Sequence, residues 1–151
     1  MSAERTRVFV TGAGVVTPIG SDLETFWSNL VAGVSGAGPI TRFDASTYET
    51  RFACEVKDLE LEGIIDRKDA KRMDRFVHFA IAASHSALRH AGLDLETTDR
   101  DRVGVVIGSG IGGMETFEAQ HTNLLQKGHG RVSPFFIPMM ISDMAAGLVS
   151  I

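Results

Sequence analysis

Three glycines in the segment Val103–Gln120 have the spacing of a dinucleotide-binding loop. Gly108, Gly110 and Gly113 follow a short apolar run and precede a predicted helix, the arrangement in which backbone N–H groups cradle a pyrophosphate. Such a site also requires an acidic residue about 20 residues further on, to bind the ribose. The corresponding region reads VSPFFIPMMI and has no acidic side chain. We therefore expect that the protein does not bind NAD. An NAD-dependent oxidoreductase is the least favoured of the functions considered. The glycines instead predict close packing of strand and helix, or backbone that approaches a ligand.

Cysteine and histidine offer two further kinds of chemistry. Cys54 could act as a nucleophile, but it lies between Phe52 and Val56 on one face of a predicted strand, which favours a small buried side chain. Three of the five histidines share one predicted helix at spacings of seven and five residues, whereas a helical metal pair needs i, i+3 or i, i+4. The pattern predicts hydrogen-bonded or solvated histidines and no metal site.

A cluster of cations in DRKDAKRMDR allows two interpretations. Lys68, Lys71, Arg72 and Arg75 lie about one helical turn apart, so a helix would place them on one face. They fall at the predicted start of a long helix, where the macrodipole disfavours positive charge, although interspersed aspartates offset this in part. The cluster is either a solvated, salt-bridged face or a docking patch for an acidic partner.

The segment SPFFIPMM places three large apolar residues between two prolines, where a loop is expected. The conservative interpretation is core packing. The functional interpretation is a rigid hydrophobic wall at a ligand pocket or at a subunit contact.

Composition limits the classes of protein to which the chain can belong. A length of 151 residues with 44% hydrophobic and 23% charged residues is typical of one soluble globular domain, and the net charge of -4 gives no indication of nucleic-acid binding. The single cysteine excludes an internal disulfide and suits a reducing compartment. There is neither an apolar run of membrane-spanning length nor a secretory signal. We expect a cytoplasmic protein that does not enter a membrane.

Strands alternating with helices predict α/β architecture. The last predicted helix runs to Ile151 without a stop signal, and few strands are found for a covered parallel sheet. We therefore expect the chain to be cut inside a domain. The predicted strands are Arg7–Thr11, Arg51–Lys57 and Val103–Ile107, and the predicted helices run over Ser21–Gly33, Arg67–Ala91, Met114–Gln126 and Pro138–Ile151.

Five segments taken together identify a family. RVFVTGAGVVTPIG, RFD, IIDRKDAKRMDRF, VGVVIGSGIGG and SPFFIPMMISDMAAGLVSI, in this order, resemble the β-ketoacyl-acyl-carrier-protein synthases. The forms GSGIGG and SPFF are similar to type II of bacterial fatty acid synthesis. A polyketide synthase ketosynthase and a non-catalytic partner subunit, such as a chain-length factor, are the alternatives within the same fold.

The resemblance implies a thiolase-like fold, layered α-β-α-β-α, of which residues 1–151 would be an incomplete N-terminal domain. It also implies a homodimer that needs no cofactor and elongates acyl chains by decarboxylative Claisen condensation. The partners would be acyl carrier protein in its acyl and malonyl forms. In the family the catalytic Cys and two His follow the segment matching DMAAGLVSI, so we expect them beyond Ile151. The chain by itself is then expected to be inactive, with no catalytic residue of its own.

Site residues are carried over from the family position by position. Ile111 matches an isoleucine that gates the acyl pocket, and Phe136 and Ile137 match pocket residues. The resemblance assigns carrier-protein binding to Lys68, Lys71, Arg72 and Arg131. Gly130 stands where relatives can carry a further basic residue, so this part of the patch is expected to be weaker.

Overall fold

A computed structural model describes residues 6–151, and helices make up most of its regular structure. None of the helices in this range combines the length and apolar character that crossing a membrane requires. The elements in chain order are α1 (Leu23–Val31), β1 (Ala37–Pro39), β2 (Phe52–Cys54), α2 (Arg67–Ala70), α3 (Arg75–Ala91), a 3-10 turn (Arg100–Arg102), α4 (Met114–Lys127), a second 3-10 turn (His129–Arg131), α5 (Phe136–Met140) and α6 (Met144–Ser150).

Helix α3 is the centre of the packing. Its Val77 is fully buried, and α6 packs along it with Ala145 only 1% exposed. The N-terminal segment lies on the same helix at Gly14, where a Cβ atom would stand well inside van der Waals contact of the Ala83 carbonyl oxygen. A residue without a side chain permits this close approach of two backbones. The first glycine turn, TGAG, is therefore a packing device against α3.

The predicted continuous helix over Arg67–Ala91 is wrong, because the chain breaks it in two. Helix α2 stops at Ala70, and α3 begins after Asp74, whose backbone is extended at φ -79° and ψ 162°. The Asp74 carboxylate accepts the Phe76 N–H, an N-cap role for which aspartate is favoured. Lys68, Lys71 and Arg72 therefore lie on a short helix and the turn after it, and of the four cations Arg75 alone lies in the first turn of the long helix.

Two of the three predicted strands do not form. Residues 7–11 and 103–107 have no ladder partner in the part of the chain that the structure describes, and Val8 and Val106 are 91% and 97% exposed. A strand has no hydrogen bonds within itself, so an apolar run needs a neighbouring strand before it becomes one. The sheet in this range is the antiparallel pair β1–β2, in which Gly38 lies opposite Ala53.

Cys54 faces the side of its strand opposite to the one expected. The predicted strand Arg51–Lys57 shortens to β2, in which Ala53 is half-buried while Phe52 and Cys54 are exposed. Because side chains alternate along a strand, a shift of the inward face by one residue exposes both neighbours. The prediction of a small, buried Cys54 is wrong.

Some of the predicted helix ends are confirmed, and others are wrong. Asp22 rather than Ser21 caps α1, since its carboxylate accepts the Thr25 N–H at 2.8 Å, and this bond lowers the pKa of Asp22. Gly92 follows α3 as predicted, in the left-handed conformation at φ 63°. The predicted final helix is divided into α5 and α6 by a turn at residues 141–143.

A carboxylate ties the segment after β1 to the segment after β2. Glu55 accepts hydrogen bonds from the Thr41 N–H at 3.0 Å and from the Thr41 hydroxyl at 2.6 Å. These bonds favour the charged form, so they lower the pKa of Glu55 below its ordinary value of 4.5. The stabilisation is complete above pH 4.5 and is lost as the pH falls through the lower pKa of the folded state.

We expect Glu55→Gln to reduce the acid sensitivity of the melting temperature. Glutamine can still accept a bond from Thr41 but does not titrate, and the effect is small because the pair is exposed. The Tm of the wild-type protein and of the variant should be compared at neutral pH and below pH 4.5, where the Tm of the wild type should fall further. Parallel pH profiles would rule out a contribution from Glu55.

Candidate functional site

The glycine loop, residues 108–113, ends where α3, α4 and α5 meet. Gly113 is the N-cap of α4, and its N–H donates to the Met140 carbonyl at the end of α5 at 2.8 Å. Gly112 has a left-handed φ of 84°, and its N–H donates to the Ser109 hydroxyl at 3.1 Å. The C-terminal end of the loop is thus held both by α5 and by its own turn.

Asp74 joins the beginnings of two helices. One of its carboxylate oxygens accepts the Thr116 N–H at 2.9 Å and the Thr116 hydroxyl at 2.6 Å, while the other faces the Phe76 N–H at 3.4 Å. Both Asp74 and Thr116 are buried. The same side chain therefore caps α3, to which it belongs, and α4, whose N-cap glycine has no side chain to offer.

This arrangement argues against a pyrophosphate at the start of α4. A helix N-terminus binds phosphate through N–H groups that have no other partner. Here the Asp74 carboxylate already occupies that position and would repel a second anion. The geometry agrees with the sequence in giving no support to a dinucleotide.

Packing requires glycine at the C-terminal end of the loop and not at its start. A Cβ on Gly113 would stand 2.9 Å from Asp74 Oδ2 and would overlap the Met139 carbonyl oxygen. A Cβ on Gly108 or on Gly110 would meet no atom within 4 Å. Close packing therefore explains Gly113, whereas the first two glycines of the motif border open space.

Ile111 stands between the open and the packed parts of the glycine loop. Its side chain is 72% exposed, with Gly110 before it and Gly112 after it. A branched apolar side chain at this point is available for contact with a ligand or with another segment of protein.

An apolar wall lies on the adjoining faces of α4 and α5. The ring centroids of Phe117 and Phe136 are 6.2 Å apart, and Phe117 stacks on His121 with its centroid 6.0 Å away. Phe136 is half-buried, whereas Ile137 is 54% exposed. SPFFIPMM thus contributes to core packing through Phe136 and to an open apolar surface through Ile137.

The basic segment, residues 68–72, lies beside this wall. Lys68 and Lys71 are exposed on α2 and its C-cap. The Arg72 guanidinium lies over the ring of Phe135, 4.7 Å from its centroid, a cation–π contact. Arg131 is exposed too, but it belongs to the second 3-10 turn and so to a different element.

Other candidate groups take part in structural contacts. Arg75 donates to the Val56 carbonyl, and His78 is hydrogen-bonded to the Ala70 carbonyl at 2.9 Å. Across residues 6–151 we find no group of three or more His, Cys, Asp or Glu side chains arranged to hold a metal ion.

Sequence patterns do not single out Asp74 or Arg42, although both organise the site. An aspartate before an apolar helical run is a visible N-cap signal, but its second partner, Thr116, lies 42 residues away and has no signal of its own. Arg42, from the RFD segment, pairs with Glu115 in the first turn of α4. The start of α4 is therefore fixed by two residues from distant segments.

Comparison with known proteins shows what the chain resembles. Residues 5–151 match the family model of the β-ketoacyl synthase N-terminal domain. The 3-oxoacyl-[acyl-carrier-protein] synthase 2 of Synechocystis sp. is 53% identical over 148 residues, which are 98% of this chain and 36% of the relative. The protein of the same name from Staphylococcus aureus is 51% identical over 149 residues, 99% of this chain and 36% of the relative. The chain thus spans about a third of the length of the curated relatives it matches.

A solved structure extends the likeness to the fold. The ishigamide ketosynthase/chain length factor superposes with a TM-score of 0.78 at 28% identity, covering 93% of this chain and 35% of that one. The predicted α/β, thiolase-like fold class is confirmed. The chain belongs to the β-ketoacyl synthase family, whose N-terminal domain it matches from residue 5 to residue 151.

Proposed function

We propose that the full-length protein carrying this chain elongates acyl chains in type II fatty acid biosynthesis. The observation that carries the proposal is the 53% identity to a curated 3-oxoacyl-[acyl-carrier-protein] synthase 2 across 98% of the chain. In the proposed reaction an enzyme cysteine holds the acyl group as a thioester. Malonyl-acyl carrier protein loses CO₂, and its carbanion attacks the thioester carbonyl and expels the cysteine thiolate. The product is the 3-oxoacyl carrier protein.

We place the catalytic cysteine and histidines outside residues 1–151, which form an incomplete N-terminal domain of the synthase. The position of Cys54 supports this assignment. Its side chain is exposed and it belongs to strand β2, whereas a reactive thiolate is stabilised at the N-terminus of a helix. The 151-residue chain alone is then inactive.

The acyl pocket is bordered in this proposal by Ile111, Phe136 and Ile137. Support comes from the exposure of Ile111 on the glycine loop and from the apolar wall of α4 and α5. The glycine loop and the apolar wall adjoin each other, because Gly113 at the end of the loop is hydrogen-bonded to Met140 at the end of α5. An apolar chain entering beside Ile111 would meet apolar side chains on α5.

The carrier protein docks in this proposal on Lys68, Lys71, Arg72 and Arg131. The exposure of these cations supports attraction to an acidic partner. Arg72 also contacts Phe135, so it has a packing role besides its charge.

Homodimer formation is part of the same proposal. The exposed Leu124 and Leu125 of α4 support a subunit contact on this helix.

The test is a condensation assay with the purified full-length protein. Acyl-carrier and malonyl-carrier substrates are supplied, and the 3-oxoacyl carrier protein is detected by intact mass. Product that requires both substrates supports the proposal. Absence of product overturns the proposal, because a non-catalytic partner subunit would form none by itself.

Ile111→Phe is expected to restrict the pocket for long acyl primers first. The phenylalanine ring is larger than the isoleucine side chain and narrows the entrance of the acyl pocket. The ratio of kcat/KM for a long primer to that for a short primer should therefore fall about fivefold. Ile111→Leu preserves the side-chain volume and should leave the ratio close to that of the wild type. An equal loss on all primers would show that Ile111 does not select chain length.

A further inference from the structure

We propose that Asp74 is a positioning residue that fixes the glycine loop relative to the basic segment. The inference rests on the proposed function, since it links the surface assigned to the carrier protein with the residue assigned to the pocket entrance. It is carried by the contacts of one buried carboxylate.

The first contact ties Asp74 to α4. Its carboxylate receives two hydrogen bonds from Thr116, both in a buried environment. Bonds to a charged acceptor are stronger than neutral ones and fix the position of both partners. Asp74 also follows the basic segment by two residues, so α4 is held to the end of that segment.

The second contact ties Asp74 to the glycine loop. Gly113 packs so closely on the carboxylate that a Cβ atom would stand 2.9 Å from Asp74 Oδ2. Gly112 is packed on Met140 in the same manner, and Ile111 comes next along the chain. Close-packed backbone transmits displacement because it leaves no void to absorb it. A movement of Asp74 would therefore be passed to Ile111.

Three variants of the full-length protein separate the contacts. In Asp74→Asn the amide oxygen can still accept the Phe76 N–H, so α3 remains capped while the bonds to Thr116 are impaired. Thr116→Val removes the hydroxyl bond at nearly constant volume. Thr116→Ser preserves both bonds and is the matched control.

Hydrogen exchange is the first readout and does not depend on catalysis. In Asp74→Asn and Thr116→Val, amides in peptides covering residues 108–117 should exchange about fivefold faster, whereas the middle of α3 and the Thr116→Ser variant should match the wild type. Unchanged exchange in this region would overturn the proposal, and so would equal acceleration throughout α3 and α4.

Primer selectivity is the second readout, because a purely structural role would not change it. The kcat/KM ratio for long over short primers should change about fivefold in Asp74→Asn and Thr116→Val, with carrier affinity within about twofold of the wild type. A uniform loss on all primers would overturn the proposal. If the wild type makes no 3-oxoacyl product, the proposed function fails, and the exchange data still decide whether Asp74 holds the loop.

Discussion

Gly113→Ala is expected to lower the free energy of unfolding of the full-length protein by about 1–3 kcal/mol, the usual range for an extra methyl group in a close-packed position. The added Cβ would overlap the Met139 carbonyl oxygen and crowd Asp74 Oδ2 at 2.9 Å. Neither atom can withdraw easily, because Asp74 is bound to Thr116 and Met139 belongs to α5. Urea denaturation followed by circular dichroism gives the change in the unfolding midpoint.

Gly108→Ala is the matched control within the same motif. Its Cβ would have no atom within 4 Å. The free energy of unfolding should therefore change by less than about 0.5 kcal/mol. Similar losses in both variants would mean that the glycine loop is destabilised by any side chain. In that case the close packing of Gly113 would not be the cause.

Reversing two charges, Lys68→Glu with Lys71→Glu, is expected to weaken binding of acyl carrier protein about 10- to 100-fold at low salt. Both lysines are exposed, so their substitution should leave the fold intact. Arg72 is left in place because its guanidinium also packs on Phe135. Calorimetric titration at two salt concentrations should show a lower affinity and a weaker dependence on salt.

Arg102→Glu is the control for charge alone. Arg102 is also exposed, and it follows the far end of α3, a helix of 17 residues that is about 25 Å long. Its reversal should leave the affinity within about twofold. Because Arg102→Glu reverses one charge and the double variant reverses two, equal weakening per reversed charge would indicate a general charge effect. Unchanged affinity in the double variant would exclude the basic segment from docking.

Local signals in the sequence predict helices well, because a helix is stabilised by residues that are close together along the chain. The run Met114–Gln126 with Gly128 after it becomes α4 within one residue, and Gly92 ends α3 as predicted. Strands depend on partners elsewhere in the chain, which explains why Val103–Ile107 has an apolar strand pattern and yet forms no ladder among residues 6–151. Periodicity also fails to show a break such as Asp74, because a single extended residue hardly disturbs the apolar repeat.

The same distinction applies to the candidate site. Sequence alone shows a basic segment and an apolar segment, and the family resemblance assigns roles to both. It does not show that Arg72 lies on Phe135 or that Asp74 binds Thr116. Both contacts join segments far apart along the chain, so they follow from tertiary packing rather than from local propensity.

The packing of Gly14 on Ala83 has a consequence for the order of events during translation. The two residues are about 70 positions apart, so at about 5–20 residues per second the ribosome makes the receiving face of α3 roughly 4–14 s after the glycine turn. Throughout that interval the glycine turn TGAG has no helix on which to pack, and the apolar run RVFV that precedes it is uncovered. A nascent segment of this composition is a natural target for chaperones and for aggregation. A side chain at Gly14, which would overlap the Ala83 carbonyl oxygen, would therefore reduce the yield of folded protein before it affects any activity.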